Sequence, residues 1–536
     1  MIQNKYLKIK VFAGTVLMCL SLTMISCTDG FEKYNTDDNR LTDKDLELDM
    51  LALGGLIPTM QVDVIPTSDI DANEYQRAQN LTGDIFSGYM AAIGQWNGSS
   101  NNSTYNLYFD NWNDVGFDVA YRVMGAWDQI KKKSEEYDLP SAFALSQILK
   151  VMTLHRITDN YGPIPYSRMG EGALGSPYDS QKEVYKAFFN DLDTAIEELD
   201  NFLKADPNAQ PLKKFDLIYK GDYRKWIVFA NSLKLRLAMR IVYVEPELAK
   251  KYAMEAVNNE YGVMTGNQDN AVLRSGLGVQ IYNPLKVCWD RYADIRMGAS
   301  MESFLKGYKD PRLEVYFSKS KLADMGIYGV RNGVVINNKV SYENMSAPNI
   351  GDNTADFPVL WMCASEVYFL RAEGALRGWS MGGTAKDLYN KGIETSFEQR
   401  GIAGKSGNYV NDATSVPADF VDKVGSGNAT ATTDIKVKWE DGVAFEKGLE
   451  RIITQKWLSM FPEGQEAWSE FRRTGYPKLF PVIKNNSNGT IDTNKQIRRI
   501  PFPKSEYSVN KNNVDEAITL LGGPDNGGTK LWWDKK

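Results

Sequence analysis

Apolar residues recurring at every third or fourth position dominate this chain, a period that calls for helices rather than an extensive sheet. In 182–203, Val184, Phe188, Leu192, Ile196, Leu199 and Leu203 form one stripe with acids between them. In 223–243, Phe229, Leu233, Leu237 and Ile241 share a face, while Arg236 and Arg240 point elsewhere. Pro246 follows, and a second helix is expected from Glu247 to about Asn258. In 360–377, Ala364, Val367, Tyr368, Arg371, Ala372 and Ala375 begin a helix with small residues for close packing. Trp379 to Gly383 make a turn, and Ala385 to Gln399 make the partner helix.

A helix, a short turn and a helix within about 34 residues match the tetratricopeptide pattern. The pair at 364–398 is the clearest copy; the pairs at 141–203 and 223–258 are looser, the first carrying an insertion. The expected fold is mostly α: a tetratricopeptide-like scaffold of helix pairs with long irregular loops. Stacked pairs offer surfaces rather than a ready-made catalytic cleft. Residues 94–113, 259–300, 320–358 and 401–438 break the helical period. Long loops in a compact protein are usually functional or disordered.

The chain opens with Lys5, Lys8 and Lys10, an apolar run from Val11 to Ile25, then Ser26 and Cys27. That order reads as a secretory signal, and the run is short of the about 20 residues a spanning helix needs. A site ending Ser-Cys resembles the lipobox of bacterial lipoproteins, in which the cysteine is acylated. Residues 1–26 are then a signal peptide, 27–45 a lipidated start and polar tether, and 46–536 a single domain. The acidic residues after Cys27 (Asp29 and Glu32) also resemble the surface-export signal of Bacteroidetes lipoproteins. The expected location is the outer membrane, lipid-anchored and facing the exterior, because an acylated cysteine carries enough buried CH2 groups to hold firmly.

The formal charge is −6, and the segment 1–26 holds three lysines and no acid, so the rest is more acidic still. Scattered Lys and Arg on an acidic body argue against a nucleic-acid partner. His155 is the one histidine, which excludes multi-histidine metal sites. It lies in an amphipathic helix, where packing is the expected role. Cys288 and Cys363 are expected to be separate buried thiols.

Several blocks resemble one family in order along the chain. Tyr161 to Tyr166 reads YGPIPY; Ser365 to Glu373 reads SEVYFLRAE. Gln455-Lys456-Trp457 precedes Glu466-Ala467-Trp468 and Arg472-Arg473-Thr474-Gly475-Tyr476-Pro477. Arg499 to Pro503 and Leu531 to Asp534 follow. Together with the start of the chain, these are similar to the SusD/RagB lipoproteins. The resemblance implies four tetratricopeptide-like helix pairs, with irregular loops holding the ligand. It implies a surface lipoprotein that binds a nutrient, usually an oligosaccharide, and caps a SusC-like TonB-dependent outer-membrane barrel as its lid. It implies no enzymatic activity. Read as residues alone, Pro163 and Pro165 force the chain out of helix. Trp457, Trp468, Trp532 and Trp533 read as packing, and Arg472-Arg473 as helix-face charges paired with acids.

A sugar site needs aromatic planes for CH faces and planar polar groups for hydroxyls. Residues 94–113 concentrate both: Trp96, Asn97, Tyr105, Tyr108 and Trp112, with Arg77 upstream as a hydroxyl clamp. Trp289, Tyr292 and Tyr328 are candidates for the far side. These aromatics equally suit packing onto their own scaffold. No cofactor is expected; Asp110 to Asp114, or Asn267 to Asn270, offer hard oxygens for Ca2+ but lack EF-hand spacing. Two other functions compete. A surface glycoside hydrolase would need a carboxylate pair about 5–5.5 Å or about 6.5–9.5 Å apart. A peptide- or protein-binding tetratricopeptide-type module would need a groove lined by Asn, Lys and Arg.

Overall fold

The computed structural model describes residues 51–68, 70–94, 101–107, 112–169, 175–276, 278–336 and 338–536. Cys27 and the tether, Trp96, Asn97, Tyr108 and Asp110 lie outside the described residues. Leu53–Lys536 form one compact unit. Its principal helices are α1 (Leu56–Val64), α2 (Val115–Glu136), α3 (Pro140–Tyr161), α4 (Gln181–Ala205), α5 (Tyr223–Arg240) and α6 (Pro246–Asn258). They continue with α7 (Ala299–Gly307), α8 (Ala364–Leu376), α9 (Ala385–Gln399), α10 (Phe445–Met460), α11 (Gly464–Thr474) and α12 (Lys511–Leu521). Among the described residues no helix is long and apolar enough to cross a membrane.

The expected helix pairs are present: α3 lies against α4, α5 against α6, and α8 against α9. Local chemistry sets their ends. The Ser180 hydroxyl accepts from the Glu183 amide at 3.2 Å to cap α4, and Thr384 does the same for Asp387 in α9 at 3.1 Å. At the end of α3, Gly162 takes φ 93°, after which Pro163 forbids helix. The α5 helix stops at Arg240, short of the expected 243, and turns toward Pro246, whose preceding residue leaves the helical region at φ −136°, ψ 65°. The α8–α9 crossing is close: a Cβ on Gly392 would lie 2.8 Å from the Phe369 ring.

Among the described residues the named strands form two short ladders. Strand β1 (Met90–Ala92) pairs antiparallel with β3 (Ile295–Met297), setting Met90 opposite Met297. Strand β2 (Ala271–Leu273) pairs antiparallel with β4 (Val359–Met362) through an irregularity at Ala271/Val272.

The scaffold interior is ionic as well as apolar. Arg236 and Arg240 are only 1 % exposed, so the expectation that they point away from the packing is corrected. From Phe229 to Arg240 helix α5 is buried on all sides, and its arginines reach acids of neighbouring helices. Arg236 grips Glu366 of α8 at 2.8 and 2.7 Å. Arg240 meets Glu466 and Glu470 of α11 at 2.6 and 2.7 Å, and Asp159 of α3 at 3.2 Å. Lys456 of α10 lies 3.2 Å from Glu470, and Arg473 joins Glu470 to Glu373 of α8 at 2.7 and 2.6 Å. Five helices thus share one charge lattice, drawn largely from the sequence blocks quoted above. Arg472 departs from its expected role: it is buried and donates to the carbonyls of Asp159 and Arg498 at 2.6 and 2.9 Å, not to an acid. Burial lowers its pKa to about 9. Trp457, Trp468 and Trp533 are buried and Trp532 half-buried, as packing requires. Cys288 and Cys363 are separate buried thiols.

Candidate functional site

Two segments of widened, π-type helix stand side by side in front of the β1–β3 ladder. The first runs from Gln76 to Asp84 and the second from Val287 to Arg291. The amide of Tyr292 closes the second by donating to the Val287 carbonyl at 2.9 Å, a five-residue span. Such insertions re-aim side chains and recur at functional sites. The short Pro284–Lys286 turn that opens the second packs against the first.

This arrangement brings together candidates more than 200 residues apart. The Tyr292 hydroxyl donates to the Asp71 carbonyl at 2.6 Å and lies 3.4 Å from Asn73 Oδ1. Arg77 Nε donates to the Asn73 carbonyl at 3.2 Å. Trp289 is half-buried, its ring fixed by donation from Nε1 to the Ile350 carbonyl at 3.1 Å, with the Lys286 ammonium 4.2 Å from its centroid. Arg77, Trp289 and Tyr292 therefore share one corner of the surface. Sequence reasoning missed its charged frame: Arg291 bonds Asp71, and that hydrogen bond raises the arginine pKa. Asp294 accepts from Gln76 Nε2 at 2.9 Å and from Lys339 Nζ at 2.8 Å, and Lys339 also donates to the Tyr292 carbonyl at 2.8 Å. The signal available was adjacency: Asp290, Arg291 and Asp294 flank the two aromatics already singled out.

Trp96 and Asn97 lie outside the described residues, but the residues that flank 95–100 in sequence join the same corner. On the near side, the Ile93 amide donates to the Asp294 carbonyl at 2.8 Å. On the far side, the Asn101 side chain donates to the Gly94 carbonyl at 2.8 Å. The Asn102 side chain donates to the Leu81 carbonyl of the first π-helix.

Three aromatics are placed differently. Tyr105 is 4 % exposed, at φ 60°, with its ring in the interior, so its faces are turned to protein. Trp112 is half-buried at the foot of α2, beside Asn113, whose amide donates to the Pro501 and Phe502 carbonyls at 3.1 and 3.2 Å. Tyr328 donates to Asp324 at 2.7 Å, and the ammoniums of Lys306 and Lys423 lie 4.1 and 4.5 Å from its ring centroid. Both cations compete with any sugar for that ring.

The corner offers fixed aromatic faces beside guanidinium, ammonium, amide and carboxylate groups, a set suited to holding a polyhydroxylated ligand. His155 is far from such work: it is 2 % exposed, and burial holds its pKa well below the usual range. The Asn267–Asn270 oxygens serve the fold. Asp269 accepts from the Thr265 and Gly266 amides at 3.0 Å each, and Asn270 Oδ1 from the Ala364 amide at 2.8 Å. Among the described residues no group of three or more His, Cys, Asp or Glu gathers for a metal ion.

Comparison with known proteins adds the lineage. The chain is 44 % identical to a chitin-binding SusD homologue from Flavobacterium johnsoniae, with 90 % of this chain and 99 % of that one covered and a TM-score of 0.85. It is 40 % identical to a SusD homologue from Bacteroides uniformis, at 90 % and 99 % coverage and a TM-score of 0.84. A third, from Bacteroides thetaiotaomicron, is 37 % identical at the same coverage, with a TM-score of 0.83. No curated protein matches. The family model for SusD and RagB outer-membrane lipoproteins matches residues 33–534, and with the helix-pair scaffold described above this chain belongs to the SusD-like family.

Proposed function

We propose that this protein captures a glycan at the cell surface and passes it to a SusC-like TonB-dependent outer-membrane barrel, which it caps as a lid. It acts as a binding protein rather than an enzyme, and an acylated Cys27 tethers it beside the barrel. The observation that carries this reading is the shared corner: Arg77, Trp289 and Tyr292 meet beside Asp294, whose carbonyl accepts from Ile93, and Asn101 bonds Gly94, so the residues flanking Trp96 and Asn97 in sequence reach it. Aromatic faces and planar polar groups side by side are what sugar rings require. Tyr108 and Trp112 are candidates for the rim of the same site. The chitin-binding relative makes oligosaccharides of N-acetylglucosamine the first ligands to test.

Isothermal titration of the protein with these oligosaccharides, then with a panel of other glycans, tests the reading. Saturable binding to one glycan class is expected, and so is copurification with a TonB-dependent barrel. Absence of heat with every glycan, or sustained release of free sugars, overturns it.

A further inference from the structure

A second recess shares no residue with that corner. It is an open cleft of about 640 Å³ between the turn before α5, the start and end of the β2–β4 ladder and the end of α9. Pockets that hold small ligands run from about 300 to 1,000 Å³.

Its walls are unusually cationic for an acidic chain. Lys220, Lys225, Arg274 and Arg400 face two acids, Asp356 and Glu398. Those acids are occupied by amides: Asn353 donates to Asp356 at 2.8 Å and Asn267 to Glu398 at 3.4 Å. Among the described residues Lys220 and Arg274 make no hydrogen bond or ion pair. The Lys225 ammonium donates to the Gln268 carbonyl, at 3.1 Å. Arg400 donates to the Phe461 carbonyl, and its buried Nε has no hydrogen-bond partner. Beside it, the buried Oε1 of Gln399 makes no hydrogen bond either. Unsatisfied polar atoms in a native interior call for an explanation.

The cleft is also rigidly built. The Asp216 carboxylate accepts from the amides of Ile218 and Gly221 at 2.9 and 2.8 Å, and from Trp226 Nε1 at 2.7 Å. That knot holds Lys220 in a left-handed conformation, φ 55°, which a lysine adopts only under constraint. Arg274 is exposed overall, yet neighbouring protein desolvates its head enough to lower its pKa. A forked donor in that state favours a planar or tetrahedral oxyanion. The whole-protein charge of −6 repels anions, so any attraction must come from these local cations.

We propose that this cleft is a second ligand site, for a sugar unit bearing an oxyanion, a carboxylate or a sulfate. Arg274 and Lys220 take the oxyanion, and the Gln268 and Gln399 side chains take ring hydroxyls. The site would let a glycan with acidic units be held at two places at once.

Titration of the full chain at low salt tests this, using D-glucuronate, 6-sulfo-N-acetylglucosamine and, as neutral controls, methyl glucoside and N-acetylglucosamine. At least one acidic sugar is expected to bind roughly 10-fold tighter than the neutral sugars, with affinity falling as salt rises. Which acid binds distinguishes carboxylate from sulfate recognition. Arg274→Ala should weaken that binding by roughly 10-fold with an unchanged Tm, and Arg274→Lys by less. Tyr292→Ala should leave it intact, which separates this site from the glycan corner. No binding of either acid, equal binding of the neutral sugars, a preference for acidic peptides, or wild-type affinity in Arg274→Ala each overturns the proposal.

Discussion

Asp84, the last residue of the first π-helix, is fully buried beside groups that donate to it. Asn80 Nδ2 lies at 3.0 Å, Gln79 Nε2 at 3.3 Å and the Tyr75 hydroxyl at 3.3 Å. Desolvation raises its pKa to about 8, outweighing these hydrogen bonds, and the nearby Glu463 adds to the rise. The folded protein therefore holds a proton here that the unfolded chain, with an ordinary aspartate near 3.8, releases. Stability from this group is full below about pH 4 and is lost as pH climbs to about 8. Asp84→Asn keeps the neutral form at every pH. Its Tm relative to wild type should rise between pH 5 and pH 8, by an amount on the order of a few kcal/mol in stability. A pH-independent difference would show that Asp84 is ionised in the fold. If Trp96 is the stacking platform proposed above, Trp96→Ala should weaken oligosaccharide binding by roughly 10-fold, equivalent to about 1.4 kcal/mol. Its Tm should stay within about 2 °C of wild type, as surface changes usually cost under about 0.5 kcal/mol. Equal affinities would assign Trp96 to packing.

At the scale of elements, the first π-helix is positioned by backbone meeting backbone. A Cβ on Gly83 would lie 2.6 Å from Gln465 Cα, and one on Gly464 would lie 2.5 Å from Asp84 Cα. No flexible side chain can yield there. Gly83→Ala gains about 1 kcal/mol of helix propensity but must push α11 away, and overpacking of that kind costs about 1–3 kcal/mol or more. Thermal unfolding should show net destabilisation, and glycan affinity should fall with it, because the same segment carries Arg77. The long helices were legible in the sequence for a plain reason. Stripes such as Val184 to Leu203 record one buried face and one wet face. From Phe229 onward helix α5 has no wet face, so its stripe of Phe229, Leu233 and Leu237 hid the burial of Arg236 and Arg240. The π-type segments insert one residue into the helical period and so blur it. Strands of three or four residues are too short to show alternation. The candidate site was therefore legible as residue types, while the assembly of residues 71–77, 93–94, 101–102 and 289–294 was not.

Across the whole molecule, the buried charge lattice ties the helix pairs into one body. The arginines around them hold Glu466 at a pKa of about 2 and Glu470 well below the usual range, with Glu373 lowered as well. A carboxylate whose pKa falls on folding contributes stability above its unfolded value, near 4.5, and loses it as pH falls toward about 2. Acid unfolding followed by circular dichroism should accordingly set in below about pH 4.5. Glu373→Gln removes the acid that both Arg473 and Arg377 contact, at 2.6 and 2.8 Å. Breaking one side of a buried pair costs about 3–5 kcal/mol, and urea denaturation at pH 7 would measure it. At the largest scale, Cys27→Ala should move the protein from the membrane fraction to the soluble fraction. Unchanged retention would refute lipidation.

The clasp at the feet of the 95–100 segment has an evolutionary reading. Because Asn101 already bonds Gly94, the ends of the loop are joined whatever lies between them. Closing a loop twice as long costs only about 0.6 kcal/mol more. Insertions and exchanges between those feet are therefore nearly free of folding cost. A lineage can rewrite the sequence there, and an engineer can graft a foreign recognition loop, without re-solving the scaffold.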